Sequence, residues 1–548
     1  MADRGSTIAS GGGVVRLGAF VFIALAICLS GMSLHAATPP TSAKQILPSK
    51  DALSGRAART PAGTPDEVGQ WGPLLNWPLV AVHGALLKTG QVVVWDAWEF
   101  GSTPSARLWN PTTQAFTEVP DPFSAMFCAG QVMLPDGREL VAGGHNGGGI
   151  GIVNTVIFDP STSQWRRVAD LNLARWYPSA TTLSDGRVLA LGGDMQNDAP
   201  ATAPEVYDAS ANTWTALAGA QLNVAEYPQT YVMPDGKIFI AAAADRQSRI
   251  LDVAGQTWTN LGISPPSFGT SAMYLPGKVI EASGGSPPND SDPVTTTTSV
   301  IDLNQTSPVW RQTAPMAYGR SQHNLVLLPD GQVLAVGGAT QTSLIATSGV
   351  LTAEMWNPTA ETWATMASMQ DPRMYHSIAL LLPDGRVLAA GGGRNSSAVD
   401  YPTAQIYSPP YLFKGARPTI SGLPAVTTYG GTMVVQTPDA AGIGAVAFIR
   451  LGSVTHTDNM DQRYIPLSFT TGTASLAVQS PANANLAPPG YYMLFIVNTN
   501  GVPSVAQIVQ IGISASFPLH LPLIENQLAP PALRPGSPAG RSEPRLGS

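Results

Sequence analysis

One phrase, repeated seven times, constrains this chain more than any other feature. It is an apolar run, a tight turn with Asp-Gly or a close variant, a second apolar run, and often Gly-Gly. It reads LKTGQVVVW around Gly90, LPDGRELVAGG around Gly137, LSDGRVLALGG around Gly186 and MPDGKIFIAAA around Gly236. It continues as LPGKVIEASGG at Gly277, LPDGQVLAVGG at Gly331 and LPDGRVLAAGG at Gly385, with spacings of 47, 49, 50, 41, 54 and 54 residues. Asp-Gly between apolar runs marks a β-hairpin, because glycine enters the left-handed region without steric cost.

A second unit lies between these hairpins: a short strand, a polar turn, then usually tryptophan. It appears as VIFDPSTSQW ending at Trp165, EVYDASANTW at Trp214, ILDVAGQTW at Trp258 and EMWNPTAETW at Trp363. Two hairpins per repeat make four strands, one propeller blade, and a period near 50 is the kelch period. The expectation is an all-β protein whose residues 65–415 form a seven-bladed kelch-type β-propeller. The repeat stops after Pro418. Strand-like segments such as GTMVVQT, GAVAFIRLG and GYYMLFIVN predict a small Ig-like β-sandwich over 418–513. Residues 514–548, rich in proline and small polar residues, read as a disordered tail, and 38–64 as a linker.

Residues 1–37 have the layout of a secretory signal: Arg4 and Arg16, an uncharged stretch from Leu17 to Met32, then Leu34-His35-Ala36-Ala37. The stretch is 16 residues, short of the roughly 20 a spanning helix needs. Cleaved export is the expectation, with a retained anchor and cell-surface association as the alternative. Cys28 follows the bulky Ile27, which disfavours lipid attachment. A formal net charge of −7 and only 12% charged residues argue against nucleic acid, since nothing would neutralise phosphates. A monomer acting on small molecules is expected.

Without the leader one cysteine remains, Cys128, which can form no internal disulfide. Its register is informative. Cys128, Tyr177, Tyr227 and Gln322 each lie nine residues before their turn glycine; Tyr375 lies ten and His376 nine before Gly385. These positions open the first strand of each hairpin, the innermost one in a kelch blade. A ring of thiol, phenols and imidazole should face one mouth of the central channel. Arginine precedes it three times, as Arg175, Arg320 and Arg373. Two readings stand side by side: side chains that cap strands and fill the channel around an inert thiol, or a metal site. Imidazole with phenolate suits tetragonal Cu(II) better than zinc or calcium. The chain has no Gly-x-Ser-x-Gly, no His-Glu-x-x-His and no paired acids on the ring, so hydrolase and glycan-cleaving readings lack support.

Phe127-Cys128 with its hairpin, Tyr177-Pro178-Ser179 with SDGRV, RMYHSIALLLPDGRV, THTDNMDQRYIPL and PPGYYMLFIVNTNGVPSVA together resemble the galactose oxidase and glyoxal oxidase family. The likeness runs over about residues 70–513, in order. It implies one copper ion and a protein-derived radical cofactor, Cys128 joined through sulfur to the Tyr177 ring. It implies Tyr177, Tyr375, His376 and His456 as copper ligands, with Tyr375 as the base and His456 carried into the channel on a loop of the last domain. Arg320 matches a substrate-contacting position. Met195 stands where galactose oxidase stacks a tryptophan on the radical, which moves the expectation toward the glyoxal oxidase side. The implied activity is oxidation of small aldehydes, as hydrates, or primary alcohols with dioxygen, yielding hydrogen peroxide. The rival is a non-catalytic exported kelch binding or structural protein on the same scaffold.

Overall fold

The computed structural model describes residues 63–512 except 98–105, 148, 225, 242–246, 266–268, 286–293, 342–347 and 395–398. The leader, almost all of the linker and the tail therefore lie outside the described residues. Seven antiparallel sheets follow one another along the chain. The turn phrases form the two inner strands of each, as in Ser179–Thr182 paired with Val188–Leu191. These inner strands are buried on both faces, which is why they read as unbroken apolar or small-residue runs. The outer strand Gln164–Arg167 buries only Trp165, the alternation of a strand with one wet face. Innermost strands of neighbouring blades lie against one another around the axis, for example Ser179–Thr182 between Gly130–Met133 and Thr230–Val232. This is a seven-bladed propeller.

The recurring tryptophan is the bolt between blades. The indole N–H of Trp165 donates to Val119 O, that of Trp214 to Ala169 O and that of Trp258 to Ala220 O. Trp310 donates to Ser248 Oγ and Trp363 to Thr298 Oγ1. Each reaches back to the blade before it. Blade seven lacks a tryptophan unit after its own hairpin, and its outermost strand is instead Gln70–Trp71, paired with Thr403–Ser408. Trp71 N–H donates to Ala367 O at the end of blade six. The beginning of the described chain thus completes the last blade and closes the ring.

The Gly-Gly after the second strand has a packing cause. Gly337 (φ 75°) and Gly391 (φ 74°) are left-handed, and a Cβ at either would land on the backbone of the next blade, at Arg373 O and Ala81 O respectively. Glycine is what lets adjacent blades approach.

The last domain is a sandwich of a five-stranded sheet, centred on Gly490–Asn498, and a three-stranded sheet, Thr432–Gln436, Ser475–Gln479 and Phe469–Thr471. Its core holds Val435, Phe448, Leu494 and Val509. From it a hairpin, Ser453–Thr455 and Asp458–Asn459, enters the propeller and pairs with the innermost strand of blade one, Thr455 opposite His83. At its base Arg450 pairs with Asp461 at 2.8 Å, both side chains buried, and also donates to Met133 O. Gln462 bonds the backbone of Leu325 and Leu327, and Arg463 donates to Val232 O. The finger therefore ties to several blades at once.

Gly391→Ala is expected to cost at least about 1–3 kcal/mol from the left-handed backbone alone, with the clash at the seam added. Thermal unfolding checks it; an unchanged midpoint would contradict this account of blade closure.

Candidate metal centre

The site begins with a backbone feature. Among residues nine before the turn glycine, Cys128 (φ 57°), Tyr177 (φ 64°), Tyr227 (φ 40°), Gln322 (φ 53°) and His376 (φ 64°) are all left-handed. Non-glycine residues reach this region at a cost of about 1–3 kcal/mol each, and such strain gathers at functional sites. In an extended strand adjacent side chains point apart. A left-handed residue breaks that alternation, so the preceding side chain turns inward with it. Trp176 stacks on Tyr177 with ring centroids 4.7 Å apart and 29° between planes. Tyr375 lies 3.8 Å from the His376 ring. Phe127 packs on His376 and His456 at 5.3 and 6.2 Å. The one-residue offset between Tyr375 and the ring register is resolved in this way, since both members of the pair face the channel.

At the fingertip His456 (φ 48°) and Thr457 (φ 69°) are left-handed too. The His456 ring lies 4.4 Å from His376 and 5.2 Å from both Tyr177 and Tyr375. The Tyr177 and Tyr375 hydroxyls are 2.7 Å apart, and Cys128 Sγ is 3.4 Å from His456 Nε2. Ligand atoms of Cys128, His376 and His456 all fall within 4.8 Å of one another. Structure thus brings together Cys128, Tyr177, Tyr375, His376 and His456, residues that are up to 328 positions apart in sequence. Tyr227 is nearby, but its hydroxyl donates to Ala129 O.

Tautomers follow from the partners. His376 Nδ1 lies 2.7 Å from Gly393 O, which only accepts, so Nδ1 carries the proton. Thr455 Oγ1 donates to Val82 O and so accepts from His456 Nδ1. Both imidazoles are left with Nε2 as a bare lone pair, and His376 Nε2 is buried without a hydrogen-bond partner. Burial holds His376 down at about 4 and His456 well below its usual value. Burial also raises the Cys128 thiol and the hydroxyls of Tyr177 and Tyr375 far above their usual values. The cluster is therefore neutral and rich in lone pairs, a set of donors that fits a cation. Two imidazoles and two phenols fit Cu(II), which takes nitrogen and oxygen donors.

Two expectations change. Met195 is half-buried and belongs to no cluster around Tyr177, whereas Trp176 packs there with Cys128, Phe127 and Tyr177. The stacking ring comes from the residue next to the tyrosine. The sequence carries the signal, since Trp176 directly precedes Tyr177, but a regular strand points adjacent side chains to opposite faces and hides it. Arg320 is wholly buried and ion-pairs with Glu354, also donating to Gly337 O and Thr352 O. Arg175 makes the same set, with Glu205 and Gly192 O, and Arg373 bonds Gly391 O and Thr403 Oγ1. All three arginines lock the inner strands of their own blades, so Arg320 is not a substrate contact. His323 is buried, and His145 lies against Trp176 at 4.4 Å; neither joins the cluster.

A family model described as the glyoxal oxidase N-terminus matches residues 281–411, and one for the galactose oxidase-like early set domain matches 417–511. A galactose oxidase of Gibberella zeae is 32% identical over 488 residues, covering 81% of this chain and 71% of its own. The chain belongs to the galactose oxidase and glyoxal oxidase family, the copper radical oxidases. An aldehyde oxidase of Vitis pseudoreticulata is 30% identical over 327 residues, 52% of this chain and 62% of that protein. Among solved structures, a fungal alcohol oxidase in complex with copper superposes with TM-score 0.73 at 29% identity, covering 82% of this chain and all of that one. The copper radical oxidase family thus includes relatives named for galactose, aldehydes and alcohols.

Arg320→Met should destabilise the protein by about 3–5 kcal/mol, because it leaves Glu354 buried and unpaired. Denaturant unfolding measures this. A stable variant with only a raised KM would restore Arg320 to the substrate pocket.

Proposed function

We propose that this chain is a copper radical oxidase that oxidises small aldehydes, as their hydrates, or primary alcohols with dioxygen, releasing hydrogen peroxide. The observation that carries this reading is the convergence of two unprotonated imidazole Nε2 atoms, two phenol oxygens and a lone thiol at one channel mouth. His376, His456, Tyr177 and Tyr375 would hold the copper, and Cys128 would join the Tyr177 ring as a thioether. Bound copper and the modified tyrosine would supply the two one-electron acceptors that a two-electron oxidation of the substrate carbon by dioxygen requires.

The chain's own residues do the remaining work. Tyr375, as a phenolate, takes the substrate hydroxyl proton. Tyr177, once oxidised to its radical, would accept a hydrogen atom from the adjacent carbon. Trp176 covers one face of Tyr177 and keeps water from it, and Phe127 does the same for the two imidazoles. Glu354 holds the Arg320 guanidinium within its own blade, so Arg320 offers no hydrogen bond to a sugar hydroxyl. Small aldehydes are therefore favoured over galactose, in line with the glyoxal oxidase N-terminus match over residues 281–411. Residues 1–37 and the single remaining cysteine support placing this activity outside the cell.

The test is copper loading followed by peroxide release on methylglyoxal, glycolaldehyde and galactose under saturating oxygen. The loaded protein should lose two hydrogens in mass, with the Cys128 and Tyr177 peptides travelling together. A free Cys128 and no oxygen uptake would return the chain to a binding role, and a clear preference for galactose would overturn the substrate class. His376→Ala and His456→Ala should sharply weaken copper binding, while His323→Ala should not.

Both ligand hydroxyls hold their protons well above the usual range, so copper uptake must displace them. Affinity should rise with pH, about tenfold per unit for each proton released. A pH-independent affinity from 6.5 to 8 would remove the phenols from the ligand set. Trp176→Ala should leave copper bound while shortening the lifetime of the radical, read by its absorbance decay; Met195→Ala should change neither.

A further inference from the structure

His83 lies outside the five residues of the cluster, yet it makes a direct bond to the backbone of one of them. The Cys128 backbone N–H donates to His83 Nε2 at 3.0 Å. A backbone N–H only donates, so Nε2 must be bare and Nδ1 must carry the proton. His83 Nδ1 accordingly donates to Gln131 Oε1 at 2.7 Å. That assignment leaves Gln131 Nε2 as a donor, to Ser453 Oγ at 2.8 Å and to Gly84 O at 3.3 Å. Ser453 Oγ then donates to Glu139 Oε1. Every link has one direction, fixed by the first. His83, Gln131, Ser453 and Glu139 are all buried, and His83 stacks on Trp95 at 4.7 Å and 9°, which fixes its ring plane.

The chain of bonds joins three separate parts: blade one at His83, blade two at Cys128, Gln131 and Glu139, and the finger at Ser453, three residues before His456. Cys128 needs such a hold. It is left-handed at φ 57°, where a side chain is strained, and its sulfur must meet one ring carbon of Tyr177.

We infer that His83 is a positioning residue for the cofactor, holding the left-handed backbone of Cys128 so that its sulfur faces the Tyr177 ring. This rests on the copper radical reading above. In the step it serves, a C–S bond forms between Cys128 Sγ and the ring carbon beside the Tyr177 hydroxyl. The S–H and ring C–H bonds break, and two protons and two electrons pass to dioxygen, giving hydrogen peroxide. His83 touches none of these atoms and carries no proton in the step. Its effect is on geometry, where a displacement near 1 Å can cost on the order of a hundredfold in rate.

The experiment follows thioether formation in the full chain, prepared copper-free and under reducing conditions, after addition of Cu(II) and oxygen. Intact mass (loss of two hydrogens) and thiol titration give the rate, and copper stoichiometry and thermal midpoint are measured on the same samples. His83→Leu keeps bulk and removes the acceptor, so thioether formation should slow at least about tenfold while copper still binds one to one. His83→Gln can place an amide oxygen near the position of Nε2 and should recover most of the rate. If the leucine variant does not fold, His83→Asn replaces it, since its shorter side chain reaches Gln131 but not Cys128. A merely structural role would lower the midpoint in all variants alike, without separating thioether rate from copper binding or rescue by glutamine. Equal rates in wild type and in the folded variants would overturn the inference. A wild-type protein that never loses two hydrogens would instead overturn the copper radical reading itself.

Discussion

The strand Ser453–Thr455 pairs with His83–Ala85, the innermost strand of blade one, and the whole centre depends on this backbone ladder. It delivers His456 to a ring whose other members come from blades two, three and seven. It also fills the propeller axis, where inner strands would otherwise present their buried faces to an open channel. Asp461 accepts from the Met133 N–H, and Met460 sulfur accepts from the Gln131 and Ala180 N–H groups. The finger is thus held by several blades, and the site is rigid because its support is spread around the ring.

That rigidity is set against two costs. Left-handed backbone at Cys128, Tyr177, His376, His456 and Thr457 raises the energy of the folded chain, and burying His376 Nε2 without a hydrogen-bond partner raises it again. Blade packing offsets both, through tryptophan bolts, buried arginine locks and continuous apolar inner strands. The scaffold tolerates a lone-pair-rich cluster that no isolated loop could hold together. Trp176 and Phe127 extend this protection to the rings themselves.

The same backbone rule explains what could be read early and what could not. Turn spacing located the blades, and counting nine residues back from each turn glycine found Cys128, Tyr177 and His376. Counting also found the buried arginines, but it could not say which way their guanidinium groups point. Arg320 looked available until Glu354, 34 residues on in the third strand of its blade, was seen to claim it. Met195 aligned with a stacking position, yet the stacking ring is Trp176, because a left-handed tyrosine turns its neighbour inward. His83 carried no signal at all, since an isolated histidine in an apolar strand has no pattern to count.

The sequence by itself determined the elements and their order: hairpins from Asp-Gly turns, blades from the period, a second domain where the period stops, and the residue types of a copper centre. These are local properties, set by φ preferences and by alternation along one strand. Tertiary structure decided which of those residues meet. Blade seven closes with Gln70–Trp71 from the far end of the propeller, His456 arrives on a finger from another domain, and the tautomers of both imidazoles are fixed by Gly393 O and Thr455 Oγ1. Such outcomes depend on contacts between segments hundreds of residues apart, and no local rule along the chain encodes them.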